Sequence, residues 1–305
     1  MTYRTIKELG PDTKTPVNLE KGDICIAATY REGEVNIRRN VGAGRVVVLD
    51  KDLQPKGALW TQEQGLIVGL AYDKRSHTLF VSDVTSQTVK RFSASGEMLE
   101  SFVDMQGKPF GPIAITPEGS IVIGEHIKGD KFPFIGGGAI YRFNRDGDEI
   151  ACHKAEHDPG KFGFHGVTNF VLSDEGKRAI YISETGKRVM QYDLASDKQL
   201  DDLFVLDDEG EMVTAGIGLC PNGELLLAHV YGVSLMSSTG EILNTYDIEH
   251  DKGWAAIKPL ADGKTFLASN FFSGRLEKRD LQTGKLLASL ETEMPLTLAS
   301  IEEIT

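Results

Sequence analysis

Apolar positions along the chain fall in short runs bounded by glycine, proline, asparagine or aspartate, and no stretch carries the longer period of an amphipathic helix. Gly111-Pro-Ile-Ala-Ile-Thr-Pro-Glu-Gly119, Ser120-Ile-Val-Ile-Gly-Glu125, Gly138-Ala-Ile-Tyr-Arg-Phe-Asn-Arg-Asp-Gly147 and Asp148-Glu-Ile-Ala-Cys-His153 read as four consecutive strands. Glu118-Gly119 and Asp146-Gly147 hold residue types that accept the left-handed backbone of a hairpin turn. The frame then repeats. First strands are predicted at 65–72, 166–172, 214–219 and 253–257, and second strands at 78–83, 179–184, 224–229 and 265–270. The turn between third and fourth strands falls at Gly96, Gly147, Asp197, Gly240 and Gly284, so the period is 43 to 51 residues. Such a period suits one propeller blade of four antiparallel strands.

The first unit has second, third and fourth strands at 23–29, 44–49 and 55–60 but no first strand, whereas 295–301 looks like a first strand with nothing after it. Joining them closes a ring and removes two open sheet edges. The expectation is an all-β, six-bladed β-propeller forming a single domain over 1–305. Its blades lie at 20–61 plus 295–302, 65–104, 111–154, 165–206, 213–248 and 253–292. A pair of β-sandwich domains is the competing arrangement, but no linker or low-complexity stretch divides the chain.

Composition narrows the function classes. Against 33 Lys and Arg stand 45 Asp and Glu, a formal charge of -12, which lacks the basic face that a general nucleic-acid binder needs. No apolar run follows Met1, so neither a signal segment nor a membrane anchor is expected and a cytoplasmic location follows. Cys25, Cys152 and Cys220 are widely spaced and read as reduced thiols.

In a ring of radial blades, the loops after the second strands and before the first strands frame one mouth of the central channel. Second strands end at Thr29, Asp83, Glu125 with His126, Glu184, His229 and Asn270; first strands are preceded by Gln64, Pro112, His165, Thr214, Trp254 and Pro295. Carboxylates and imidazoles converging on one mouth need a ligand, a cation or a shared proton. Glu184, His165 and His229, with Glu125 or Asn270, are a candidate divalent-cation shell; without an ion, a His–Glu pair serves as an acid–base couple. Any single member of this ring, Asp83 above all, also reads as a turn-forming residue that satisfies nearby backbone amides. The long insertion at 127–138, with Phe132 and Phe134 before a triple glycine, reads as a lid or as a longer surface loop. Tyr231, Phe271 and Phe272 lie just beyond second strands as pocket walls or as packing.

Asn169-Phe-Val-Leu-Ser-Asp-Glu-Gly-Lys-Arg-Ala-Ile-Tyr-Ile-Ser-Glu-Thr-Gly-Lys-Arg-Val-Met-Gln-Tyr-Asp193 resembles the repeat unit of the SMP-30/gluconolactonase and strictosidine synthase-like six-bladed propellers, and more generally NHL repeats. The resemblance implies a small-molecule enzyme with its site at the channel mouth. In the lactonase members a Glu, Asn residues and an Asp hold a divalent cation, and Glu184 stands where that Asp would be. The other positions depart: Gly111-Pro112 and Thr168 stand where Asn is expected, and no Glu precedes Pro295-Leu296. The strictosidine synthase-like branch works without metal, and the virginiamycin B lyase type uses His and Glu around a cation to open a lactone by elimination.

The leading expectation is therefore a hydrolase of the SMP-30/lactonase type acting on a lactone or related ester, with a lyase or cyclising synthase, and a non-catalytic binding propeller, as the alternatives. Glu184, His126 and His165 are the expected catalytic residues; Glu125, Glu184, His229 and Asn270 the expected ligands of a divalent cation (Zn, Ca, Mg or Mn). Asp83, Trp254, Tyr231, Phe132, Phe134 and Asn169 are expected to bind substrate. A small-molecule substrate is expected, with no nucleotide cofactor and no nucleic-acid or membrane partner.

Overall fold

A computed structural model of the chain describes residues 5–11, 17–33, 41–102, 107–127, 135–158, 164–206, 213–229, 231–246, 248 and 252–305. Its regular structure is almost entirely antiparallel strand. The first blade holds β1 (Ile24–Ala28), β2 (Gly42–Leu49) and β3 (Pro55–Gly65); the second holds β4 (Ile67–Asp73), β5 (Thr78–Asp83), β6 (Thr88–Ser93) and β7 (Met98–Leu99). The third holds β8 (Phe110–Ile115), β9 (Ile121–Ile127), β10 (Ile140–Phe143) and β11 (Glu149–His153), with a short fifth strand, β12 (His165–Gly166), on β9. The fourth runs β13 (Asn169–Ser173), β14 (Arg178–Ile182), β15 (Arg188–Asp193) and β16 (Lys198–Val205). The fifth runs β17 (Thr214–Leu219), β18 (Leu225–His229), β19 (Gly232–Met236) and β20 (Ile242–Tyr246). The sixth runs β21 (Trp254–Pro259), β22 (Thr265–Asn270), β23 (Arg275–Asp280) and β24 (Leu286–Glu291), and β25 (Leu298–Glu303) then pairs with β1 to close the ring.

The six-bladed expectation and its ring closure hold, with three local corrections. The closing strand begins at Leu298, not 295, because the chain turns through left-handed backbone at Glu293 and Leu296. The first strand of blade four begins at Asn169; His165 and Gly166, expected to start it, pair instead with Ile127 and His126 of blade three. Strand β9 runs two residues past Glu125, so Glu125 and His126 sit inside a strand and not at its end. Phe132 and Phe134 lie outside the described residues.

Apolar side chains fill the spaces between adjacent blades. Leu225, Leu227 and Met236 of blade five, for example, pack against Ile180, Ile182 and Val189 of blade four. Hydroxyls latch the blades near the channel: Thr29 Oγ1 accepts the N–H of Ile67 at 3.2 Å, and Thr214 Oγ1 donates to the carbonyl of Ser183 at 3.0 Å. Inner strands approach so closely that a Cβ on Gly216 would run into the carbonyl of Ala255 in the next blade. Register shifts near the start of β4, β8, β17 and β21 turn the first residues of these inner strands at one mouth. Among the described residues no helix is long and apolar enough to cross a membrane.

Candidate functional site at the channel mouth

The six inner strands β4, β8, β13, β17, β21 and β25 each pair on one side only. Their free edges face the axis, and two cavities lie along it. The upper one, of about 140 Å³, sits where the inner strands start and is lined by Glu184, His126, Asn169, Thr168 and Thr185, with Leu66, Phe164, Phe271 and Phe272 as apolar walls. The lower one, of about 320 Å³, sits where the inner strands end and holds one ion pair, Lys258 Nζ to Glu302 Oε2 at 2.6 Å.

Glu184 and His126 are the ionisable side chains in the upper cavity, and no lysine or arginine lines it among the described residues. Glu184 is half-buried in the cavity wall, where surrounding protein strips water from its carboxyl. That desolvation raises its pKa above the ordinary carboxylate value, while a hydrogen bond from the Phe164 N–H to Oε2, 2.8 Å, pulls the other way. His126 is buried, and its ring packs on Phe164 with centroids 5.1 Å apart and planes at 36°. A side chain at Gly111 would collide with this imidazole, so glycine is required where the third inner strand passes it. Phe164 thus touches both ionisable groups, one through its backbone and one through its ring. Sequence reading missed it; its signal is an aromatic directly before His165.

Asn169 lines both cavities, and Trp254 lines the upper one while its indole packs into the core between blades five and six, with Tyr246 and Phe266. The remaining expected residues lie elsewhere. Asp83 Oδ1 accepts the N–H groups of Leu66, Thr85 and Ser86, each at 2.9 Å, which clamps its own turn to the chain entering β4. Asn270 does similar work, accepting from Ser273 N–H at 3.0 Å and donating to the Lys252 carbonyl. Glu125 is buried; its Oε2 accepts from the Ala139 N–H at 3.2 Å, tying the end of the insertion to β9. His229 bonds to Ser234 Oγ at 3.3 Å, which in turn bonds to Thr245, so it faces the outer strands; burial lowers its pKa and holds it neutral at pH 7. His165 lies on β12 beside Phe164 but does not line the cavity, and Tyr231 is exposed, with Lys252 Nζ 4.8 Å from its ring centroid.

The four expected metal ligands therefore do not converge. Among the described residues no group of three or more His, Cys, Asp or Glu side chains could hold a metal ion. Glu125 and Asn270 bond to backbone and His229 Nε2 to Ser234 of the neighbouring strand, away from Glu184, so as placed the four do not form the cation shell that the resemblance implies.

No protein-family profile and no curated protein matches the chain. Among solved structures, that of a nidogen/laminin complex matches with TM-score 0.65 and 13% identity over 92% of this chain and 97% of that one. A protein of unknown function from Bacteroides caccae matches with TM-score 0.65 and 12% identity over 92% and 98%. Virginiamycin B lyase from Staphylococcus aureus matches with TM-score 0.55 and 11% identity over 75% and 71%. At these identities the shared property is the six-bladed fold.

Proposed function

We propose that the protein is an enzyme of the SMP-30/lactonase type, a hydrolase that opens a lactone or related ester in the upper cavity. The observation that carries this reading is Glu184: a carboxyl made easier to protonate by its surroundings, in a largely apolar cavity that has no fixed positive charge among its described lining residues. Such a site suits an uncharged substrate and a carboxyl that holds its proton to higher pH than a solvated one and can donate it. In the proposed reaction His126 takes a proton from water as the water oxygen bonds to the carbonyl carbon. The ring C–O bond then breaks, Glu184 protonates the leaving oxygen, and a hydroxy acid is released. Proton exchange through solvent restores both groups. No metal enters these steps. Because Glu184 acts in its protonated form, turnover falls as the pH rises through its pKa.

The test is turnover of a panel of γ- and δ-lactones, with products weighed by mass spectrometry. Glu184→Gln is expected to lose about 100-fold or more in kcat, the usual weight of one acid–base group. An unchanged kcat sinks the assignment. Ring opening by elimination is the second reading, favoured by the fold shared with virginiamycin B lyase; its product has the mass of the substrate, whereas hydrolysis adds one water. A binding propeller without catalysis would turn over none of the panel.

A further inference from the structure

The upper cavity, at about 140 Å³, is smaller than the roughly 300–1,000 Å³ typical of a small-molecule site, whereas the lower one, at about 320 Å³, reaches that range. One level of the channel divides them. Ala299, Val68, Pro112, Asn169, Ala215 and Ala255 come one from each inner strand, at or near its start. The three alanines line the upper cavity, Pro112 the lower one, and Val68 and Asn169 both. Five of these six side chains are small and apolar, and Val68 and Asn169 border both cavities, so no large side chain stands in the collar between them.

The two sides of the collar differ in chemistry. Above it, phenylalanine, leucine and alanine side chains dominate around Glu184. Below it, the six inner strands turn edges without a strand partner, with their backbone N–H and C=O groups, toward the axis, and Lys258 and Glu302 add a charged pair. We propose that the channel is one continuous site for an elongated substrate: an uncharged ring held above the collar at Glu184, carrying a hydrogen-bonding chain that passes Val68 into the lower cavity. Val68 is then the specificity-determining residue, since it borders both cavities and has no bond to give up.

The identity of the ring as a lactone rests on the function proposed above; the continuity of the channel does not. The experiment uses Glu184→Gln protein as the binding form and calorimetry with γ-butyrolactone-carboxamide carrying no, one, two or three glycinamide units. The expected result is about tenfold or greater tightening from the shortest to the longest probe. Val68→Phe, and independently Ala255→Phe, should collapse that ratio toward one, because a larger collar side chain blocks the chain but not the ring. Lys258→Met with Glu302→Gln should weaken the longest probe more than the shortest. Affinity independent of length overturns the proposal, and failure of every probe to bind overturns it together with the lactone reading that supplies its ring. So does a ratio that survives Val68→Phe but collapses in Phe272→Ser, which would put the chain over the upper rim. Length-dependent binding without turnover of any lactone by the parent would defeat the hydrolase reading alone, and turnover without length dependence would defeat the channel alone.

Discussion

Asp83 and Glu184 stand at one offset, just after the apolar run of a second strand, and a single methylene separates their chemistry. The shorter side chain takes two N–H groups of its own turn, from Thr85 and Ser86, and a third from Leu66 just before β4. The longer one reaches the cavity and takes one. Removing the Asp83 carboxylate strands those three donors, at about 1–3 kcal/mol for each that stays buried, so Asp83→Ala is expected to lower the unfolding free energy by about 3 kcal/mol in a urea titration. Glu184→Gln should act in the opposite sense, with a pH signature. A carboxyl whose folded pKa lies above its unfolded value of about 4.5 binds its proton more tightly in the fold. Its contribution to stability is thus complete below pH 4.5 and is lost as the pH rises through the folded value. Glutamine stays neutral throughout. The variant should therefore match the parent near pH 4 and exceed it in stability at pH 8. Thermal melts at the two pH values decide it, and a parent that is the more stable at pH 8 would show a carboxylate held in its charged form.

At the scale of elements, the segment 164–166 does something that neither blade beside it does alone. Its strand β12 belongs to blade three through β9, while the Phe164 N–H reaches Glu184 at the end of β14 in blade four. The Phe164 ring against His126 fixes that geometry. Phe164→Ala leaves the backbone donor in place but frees the segment that aims it, and misplacement by about 1 Å can lower a rate by up to 100-fold. A tenfold or greater fall in kcat is expected with KM changed much less, and Phe164→Tyr should restore most of it; equal changes in kcat and KM for both variants would mark the ring as a substrate contact only. The strands were legible because glycine and aspartate turns recur at a fixed interval and because buried strands of a blade are continuously apolar. The site was legible only in part, and the reason is geometric. Thr29, Asp83, Glu125, Glu184, His229 and Asn270 share an offset, but the inner strands paired with Asp83, Glu125, His229 and Asn270 shift register just there, and a shift of one residue sends a side chain to the other face. Two further residues in β9 bury Glu125 against Ala139, and His229, opposite Gly232 in β19, turns toward Ser234. Lys258 and Glu302 did leave a trace, as charged residues in inner strands that otherwise run mostly apolar, but their pairing crosses from β21 to β25.

For the whole molecule, closure is the property on which the rest depends, because a ring of blades without its last strand has two open edges and a split core. Strand β25 pairs with β1 from Ile24↔Glu303 to Ala28↔Leu298, and the Gly22 N–H and Ile304 carbonyl extend the pairing at 2.7 Å. Its apolar residues serve both neighbouring spaces: Leu298 and Ile301 pack in the core shared with blade six, and Ile304 in the core shared with blade two. Glu302 and Glu303 fasten it to blade six through Lys258 Nζ and the Ala261 N–H. Leu298→Ala, a fully buried truncation, is expected to cost about 2–5 kcal/mol, and Ile304→Ala a similar amount at the other face. Removing residues 295–305 altogether should do more than sum such losses, because it also bares the hydrogen-bonding edge of β1 and invites edge-to-edge association. If closure is what holds the ring, the shortened chain should self-associate on its own and become monomeric, with a concentration-dependent melting temperature, when the 295–305 peptide is added in trans. Sedimentation of the shortened chain with and without peptide gives the answer: a shortened chain that stays monomeric and melts as the parent does would mean that the five remaining complete blades hold the ring without the strand that joins its ends.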